Sequence, residues 1–322
     1  MIVVTGAAGF IGSQLASKLA SGGRISMILV DHPLRPEKFA NLGTLNEYPL
    51  LAHQDFLDQF ERQKIEPSQV FHLGACSDTT VADWDYLEEN NLNYTKRIWR
   101  CCARTGARLI YASSAATYGD GSEGFDDEGD IVRLRPLNLY GRSKQEFDLW
   151  ALEQVRIGAA MPPQWVGLKF FNVFGPGEAH KGRMASMVYH GCNQMTSTGK
   201  IHLFQSHRSD FPDGGQMRDF IYVRDIVEVM QKIAGAPALN GIFNLGTGKA
   251  RSFNDLARAL ANALQLEPRI EYTAMPGDLQ GKYQYFTQAT MRKLGAAGIH
   301  HNFLALEDSI RDYVRTLLGA HP

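Results

Sequence analysis

The strongest constraint on the fold sits at the start of the chain. A short apolar run, residues 1–5, passes into Gly6-Ala7-Ala8-Gly9-Phe10-Ile11-Gly12 and then into a stretch with Ile11, Leu15 and Leu19 on one helical face. Strand, glycine turn and helix in that order bring a helix N-terminus close to a main chain with few side chains in the way. The glycines Gly6, Gly9 and Gly12 let a pyrophosphate approach the backbone, and the exposed amides stabilise its charge. A second apolar strand, residues 27–30, ends at Asp31, 19 residues beyond Gly12. An acidic residue at that distance ordinarily accepts a hydrogen bond from an adenine-ribose hydroxyl. Asp31 alone favours NAD, because a carboxylate repels a 2′-phosphate, whereas Arg35 and Lys38 on the following loop could neutralise one. The residues by themselves leave that choice open.

Further strand–helix alternations follow. Residues 69–73 read as a buried strand, with the small-residue loop Gly74-Ala75-Cys76-Ser77-Asp78-Thr79-Thr80 at its exit. A long helical pattern spans 84–104 and contains Asn90 and Asn91; residues 108–112 form the next strand, with Ser113 and Ser114 just beyond it. Such alternation predicts a doubly wound parallel sheet covered on both faces, with ligands beyond the carboxyl ends of its strands. The acidic, glycine-rich segment 119–129 reads as a mobile surface loop. Residues 165–172 form another apolar strand, and His180-Lys181-Gly182-Arg183 begins a second lobe in a helix-permissive segment. Residues 206–216 read as an irregular loop, 224–234 as a helix, 241–248 as a strand returning to the sheet, and the stretch around Phe253–Leu264 as a helix. The expected architecture is α/β: a Rossmann-type domain of residues 1–173 plus about 218–250, with an interleaved, smaller α/β substrate lobe of 174–217 plus about 251–322.

Tyr140-Gly141-Arg142-Ser143-Lys144 places a phenol and an ammonium four residues apart, on one face if the segment is helical. A nearby positive charge favours the phenolate, so the spacing predicts a lowered pKa for Tyr140 and a role as proton acceptor. The 322 residues suffice for a large core and a cleft between lobes. With 21% charged residues and a net charge of −1, the chain has no footprint for nucleic acid or anionic lipid, which points to a small-molecule partner. Its four cysteines (Cys76, Cys101, Cys102, Cys192) show no metal-like spacing, its histidines no H-x-x-x-H, and no apolar run approaches the ~20 residues that span a bilayer. A strand beginning at Ile2 leaves no room for a signal peptide, so the expected compartment is the cytoplasm.

Gly6/Gly9/Gly12, Ser114, Tyr140 and Lys144, in this order and spacing, resemble the extended short-chain dehydrogenase/reductase superfamily. Ala75-Cys76-Ser77, residues 112–119 (ASSAATYG), Pro136-Leu137-Asn138, His180-Lys181-Gly182, Gly281-Lys282-Tyr283-Gln284 and Phe286-Thr287-Gln288 narrow the likeness. They are similar to the nucleotide-sugar epimerases that invert C6 of ADP-activated glycero-manno-heptose, over nearly the whole chain. The resemblance implies NADP as cofactor, an ADP-heptose as substrate, a lipopolysaccharide-precursor pathway and a homo-oligomer. Phe10, Ile11, Asp31, His32, Lys38, Leu73, Gly74, Ala75, Cys76, Ser77, Asn90, Lys144 and Val173 would then meet the cofactor. Asn172, Arg183, His190, Phe204, Gln205, Ser206, His207, Arg218 and Tyr283 would line the sugar-nucleotide site, with Ser114 on the reacting oxygen. Tyr140 and Lys181 would be two acid/base groups. The chain departs from the pattern at His53, where a cofactor-contacting lysine occurs, at Arg183, where serine is common, and in the longer 206–216 loop.

The resemblance implies oxidation to a transient 6-keto sugar and reduction from the opposite face, since the C–H of a secondary alcohol is not acidic. Because the hydroxyl changes sides, each of Tyr140 and Lys181 is expected to serve one direction. A 4,6-dehydratase is disfavoured, since Ala115-Ala116-Thr117-Tyr118 lacks an Asp-Glu pair. A hexose 4-epimerase is separated mainly by His180-Lys181-Gly182, and a non-catalytic dinucleotide sensor would not need Ser114, Tyr140 and Lys144.

Overall fold

The computed structural model describes residues 1–33, 36–277 and 283–319. Arg35, and Gly281 and Lys282 of the motif above, lie outside the described residues. Within them the strands are β1 (Ile2–Thr5), β2 (Met27–Asp31), β3 (Leu50–Ala52), β4 (Gln69–His72), β5 (Arg108–Ser114), β6 (Trp165–Phe170), β7 (Asn172–Phe174), β8 (Ile201–Phe204), β9 (Met217–Tyr222), β10 (Gly241–Leu245), β11 (Ala250–Ser252) and β12 (Ile270–Thr273). Seven of them form one parallel sheet in the order β10-β6-β5-β4-β1-β2-β3.

Alternation along β1 shows how the sheet is covered. Val4 packs on one face with Leu15 of the helix Phe10–Ser21 and Val229 of the helix Val223–Ala234. Its neighbour Val3 faces the other side, with Trp99 of the helix Tyr94–Thr105 and Phe147 of the helix Leu139–Arg156. The sheet is doubly wound, as its alternating pattern predicts. Strand order reverses between β1 and β4, which opens a crevice at their carboxyl ends.

The second lobe holds β11-β9-β7 and the pair β12-β8, over a core of Phe174, Val188, Leu203, Leu260 and Ile310. The chain passes back and forth between the lobes. After β9 the helix Val223–Ala234 packs on the main core, and β10 joins the edge of the large sheet with Gly241 opposite Val166. Leu294, in a stretch that the sequence assigns to the second lobe, also packs in the main-sheet core.

Three local expectations change. The helix over 84–104 is interrupted by a π-helical turn, Glu88–Asn93, where the buried Asn91 uses its amide to bond Cys76 N and O at 2.8 and 3.0 Å. The strand over 165–172 divides at Phe171, so β7 leaves the large sheet and pairs with β9. Segment 119–129 is anchored: Phe125 is buried against Tyr118 and Phe171, and Asp127 Oδ2 accepts from Asn244 N at 2.7 Å. Apolar burial of a single aromatic overrides the acidic, glycine-rich composition.

The glycine turn is as tight as its spacing suggests. Gly6 has φ +67°, and a Cβ there would lie 2.7 Å from Gly74 N; a Cβ on Gly12 would lie 2.1 Å from Gly6 O. Both clashes are with backbone and have no rotamer to relieve them. Gly12→Ala is therefore expected to destabilise the fold by about 1–3 kcal/mol in urea titrations. Gly22→Ala, whose Cβ would meet only Leu19 O at an ordinary 3.5 Å, serves as the neutral control.

Candidate active site

The floor of the crevice is the turn after β1. Gly9 N donates to Gly6 O at 2.9 Å, and the helix Phe10–Ser21 then begins with no side-chain cap and no acidic residue in its first turn. Its leading amides are left for an anion. At the end of β2, Asp31 is buried and accepts from Ala8 N and His32 N, each at 2.7 Å, while Lys38 Nζ stands 3.7 Å away. His32 stacks on His53 at 4.8 Å. Burial, then the neighbouring His32, hold the His53 imidazole below its ordinary value. Its Nδ1 is buried without a hydrogen-bond partner. A glycine cradle, a bare helix N-terminus and an orphaned ring nitrogen together fit the pyrophosphate and adenosine end of a dinucleotide.

The wall opposite is the turn after β4. Gly74 N donates to Thr5 Oγ1 at 3.1 Å, and Thr5 Oγ1 meets His72 Nδ1 at 2.7 Å. His72 Nε2 meets Thr95 Oγ1 at 2.9 Å, and that hydroxyl donates to Asn91 O at 2.6 Å. Since the Thr95 proton is committed, His72 donates through Nε2 and accepts at Nδ1. Full burial pushes its pKa down to about 3, so it remains neutral. The loop Leu73, Gly74, Ala75, Cys76 and Ser77 is thereby fastened to both β1 and the π-helical turn. Asn91 also donates to Ser143 Oγ at 3.0 Å, joining this loop to the helix Leu139–Arg156. Asn90, expected at the cofactor, donates to Tyr86 O at 2.8 Å within the same helical stretch. The period of a regular helix gives no signal for Asn91.

Asn138 caps the helix Leu139–Arg156 through Gly141 N at 2.8 Å and so delivers Tyr140 and Lys144 to the crevice. Ser114, the last residue of β5, accepts from Ala116 N at 3.1 Å, and its hydroxyl lies beside Tyr140. The expected lowering of the Tyr140 pKa by Lys144 is not found. Burial raises it, with the Ser114 hydroxyl opposing. Lys144 Nζ donates instead to Ala112 O at 3.0 Å, and burial pushes its own pKa down to about 8. In the free protein Tyr140 is thus a neutral phenol.

Lys181 arrives from the other lobe, in the 3₁₀ turn Ala179–Met184. Its Nζ lies 5.4 Å from the centre of the Phe10 ring, and burial pushes its pKa down against the pull of Glu178. Glu178, fully buried, holds the turn by accepting from Gly175 N at 3.1 Å, Ser186 N at 2.5 Å and Ser186 Oγ at 2.8 Å. Asn41, overlooked in the sequence, bonds Ala8 O, Gly177 O and His180 Nδ1 at 3.1, 3.0 and 3.0 Å. It ties the glycine turn to the segment that carries Lys181.

In the second lobe, Arg218 is buried with its guanidinium 4.9 Å from the Tyr283 ring and 5.7 Å from Phe253. Phe204 meets Tyr283 edge-on at 6.2 Å, and His207 Nδ1 lies 2.8 Å from Tyr285 Oη. Gln205 N donates to Thr273 O, and Ser206 N to Asp213 Oδ1. Asn172 Oδ1 accepts from Thr287 Oγ1 at 3.3 Å, and Val173 pairs with Ile221. His190 follows on the helix Met187–Thr198, and Arg183 is exposed. The candidate residues therefore fall into two groups: those of the crevice in the sheet lobe, and an aromatic cluster around one buried cation in the second lobe.

The model of the NAD dependent epimerase/dehydratase family matches residues 2–246. An ADP-L-glycero-D-manno-heptose-6-epimerase of Nitratidesulfovibrio vulgaris is 49% identical over 99% of this chain and 98% of its own. The crystal structure of the Helicobacter pylori ADP-L-glycero-D-manno-heptose-6-epimerase superposes with a TM-score of 0.81 at 26% identity, covering 98% and 96% of the two chains. That of the Thermus thermophilus UDP-glucose 4-epimerase in complex with NAD gives 0.77 at 26% identity, covering 99% of each. The fold agrees with these likenesses, and the chain belongs to the NAD dependent epimerase/dehydratase family, among its ADP-L-glycero-D-manno-heptose-6-epimerases.

Proposed function

We propose that this chain inverts C6 of the heptose in an ADP-activated glycero-manno-heptose through a 6-keto sugar, with NADP as its dinucleotide. One arrangement carries the reading: the large sheet supplies Ser114, Tyr140 and Lys144, while the other lobe supplies Lys181 over the glycine turn. Two proton-carrying groups from two lobes suit a reaction in which the hydroxyl changes sides.

A bound nicotinamide dinucleotide supplies the hydride acceptor and donor for breaking and re-forming the non-acidic C6–H bond, with no net redox change. Tyr140 takes the hydroxyl proton of one epimer and returns it to the keto oxygen, with Ser114 hydrogen-bonding the same oxygen. Lys181 does so for the other epimer. Burial makes its ammonium a readier proton donor than a surface lysine. Lys144 does not lower the Tyr140 pKa in the free protein, and in this reading it meets the dinucleotide from one helical turn beyond the phenol. Arg218 pairs with no carboxylate among the described residues. It can therefore offer its fork to a diphosphate while Tyr283 and Phe204 flank it.

NADP over NAD rests on the end of β2. The Asp31 carboxylate is already engaged by two amides and Lys38, and its surroundings add His32 and His53. Lys38 beside Asp31 offers a cation to a 2′-phosphate that the carboxylate alone would repel. In this reading the enzyme is a homo-oligomer in the cytoplasm. No helix among the described residues is long and apolar enough to cross a membrane.

Tyr140→Phe and Lys181→Met are each expected to lower kcat by about 10²–10⁴-fold when both ADP-heptose epimers are assayed separately by NMR. Undiminished turnover in either variant removes that residue from the mechanism, and turnover of UDP-glucose in place of the ADP-heptose would point to a hexose 4-epimerase.

Mass spectrometry of the supernatant from denatured protein is expected to show NADP, and Lys38→Ala to weaken NADP retention about tenfold more than NAD retention. Recovery of NAD, or equal losses, overturns the cofactor assignment.

A further inference from the structure

Between the strand end that carries Ser114 and the helix that carries Tyr140 lies a buried ion pair that the chemistry above does not use. Asp148, one turn beyond Lys144, is wholly buried and accepts from Tyr111 Oη at 2.9 Å and Ser113 Oγ at 2.6 Å. Lys169 of β6 stands 3.3 Å from it and is 2% exposed. Lys169 Nζ also donates to Thr117 Oγ1 at 2.6 Å, and Thr117 Oγ1 donates to Ser114 O at 2.8 Å. The connection thus runs from Ser114 through Thr117, Lys169 and Asp148 into the helix. Lys144 closes the circuit through Ala112 O at 3.0 Å.

A buried ion pair is a poor source of stability, since well-packed apolar residues of similar volume often do as well or better. This one joins the strand end that carries Ser114 to the helix that carries Tyr140 and Lys144. We infer that Asp148 and Lys169 are positioning residues: Asp148, one turn from Lys144 and bonded to Ser113, and Lys169, bonded through Thr117 to Ser114 O, hold the Ser114 strand end against the helix that carries Tyr140 and Lys144. The inference rests on the reading of Tyr140 and Lys144 given above.

The groups facing this centre are few. Lys144 faces Asp148 on its own helix, Cys76 from the loop after β4, and His72 of β4, with Tyr140 one turn back. Asp148 faces Tyr111, Tyr118 and Lys169, and Lys169 in turn feels Asp127 and Lys293. Of the influences that hold the Lys144 charge in place against burial, Asp148 is the largest. Neutralising Asp148 therefore makes Lys144 lose its proton at lower pH. Removing the Lys169 cation leaves the Asp148 carboxylate with Tyr111 and Ser113 as its hydrogen-bond donors and takes away a positive charge, which by itself favours the Lys144 ammonium.

The test is the pH dependence of kcat for the full-length protein with its bound dinucleotide and ADP-D-glycero-D-manno-heptose. In Asp148→Asn the alkaline limb, set by Lys144 near pH 8, should move about one unit toward acid. Turnover above that pH should fall about tenfold, with KM changed less than about threefold. Lys169→Met should leave the limb where it is or move it upward. An unshifted limb in folded Asp148→Asn, or an acid shift in Lys169→Met, overturns the inference. Should Asp148→Asn fail to fold with Lys169 left unpaired, the double variant is compared with Lys169→Met. A lower limb in the double supports the inference, and the same limb overturns it. Lys144→Met separates the two readings: full turnover there removes both, whereas an inactive Lys144→Met beside an unshifted Asp148→Asn removes only this one.

Discussion

Everything in the site is referred to one close approach of backbone to backbone, where the turn after β1 meets the turn after β4. At Gly6 no side chain fits, because Gly74 N would stand 2.7 Å from its Cβ. The contact exists because the sheet reverses its strand order at that place, so two loops diverge from neighbouring strands and leave a crevice. Thr5 and His72, one at the end of each strand, fix the separation with hydrogen bonds of 2.7 and 3.1 Å that include Gly74 N. From this joint the network extends through Thr95 and Asn91 to Ser143, and so to the helix bearing Tyr140 and Lys144.

The second lobe is docked to that joint by polar contacts. Asn41 reaches from beside the glycine turn to Gly177 and His180, and Glu178 gathers the amides of the turn that carries Lys181. Buried carboxylates recur at such places because several amides and hydroxyls can converge on two oxygens at once. Asp219 does the same for β9, accepting from Thr247 N, Gly248 N and Ala289 N at 2.7, 2.9 and 3.0 Å.

The sheet lobe was legible from residue pattern because each of its strands is apolar and each exits into small or polar residues. The helix Phe253–Leu264 was equally plain, with Ser252 and Asp255 forming a capping box at its start. What escaped was structure held by side chains distant in sequence. β3, a three-residue edge strand, has no pattern of its own and exists by pairing with Leu29, Val30 and Asp31. Phe125 is one apolar residue in an acidic segment, and its burial depends on Tyr118 and Phe171. Tyr140 and Lys144 stand out by spacing, yet the charge state of Lys144 depends on its burial, on Asp148 one turn along the same helix and on Cys76 from the loop after β4. Asn41 gives no signal, and Asn91 stands out only as a polar residue in a helical stretch, because an asparagine announces a turn or a cap locally and says nothing of which remote groups it will hold.

The repeated passage of the chain between its lobes has a consequence for inheritance. Val223–Ala234 and β10 complete the large sheet lobe only after the polypeptide has already made β9 of the small one. Neither lobe is a contiguous cassette, so no single crossover between related genes can graft a new sugar pocket onto an old dinucleotide crevice.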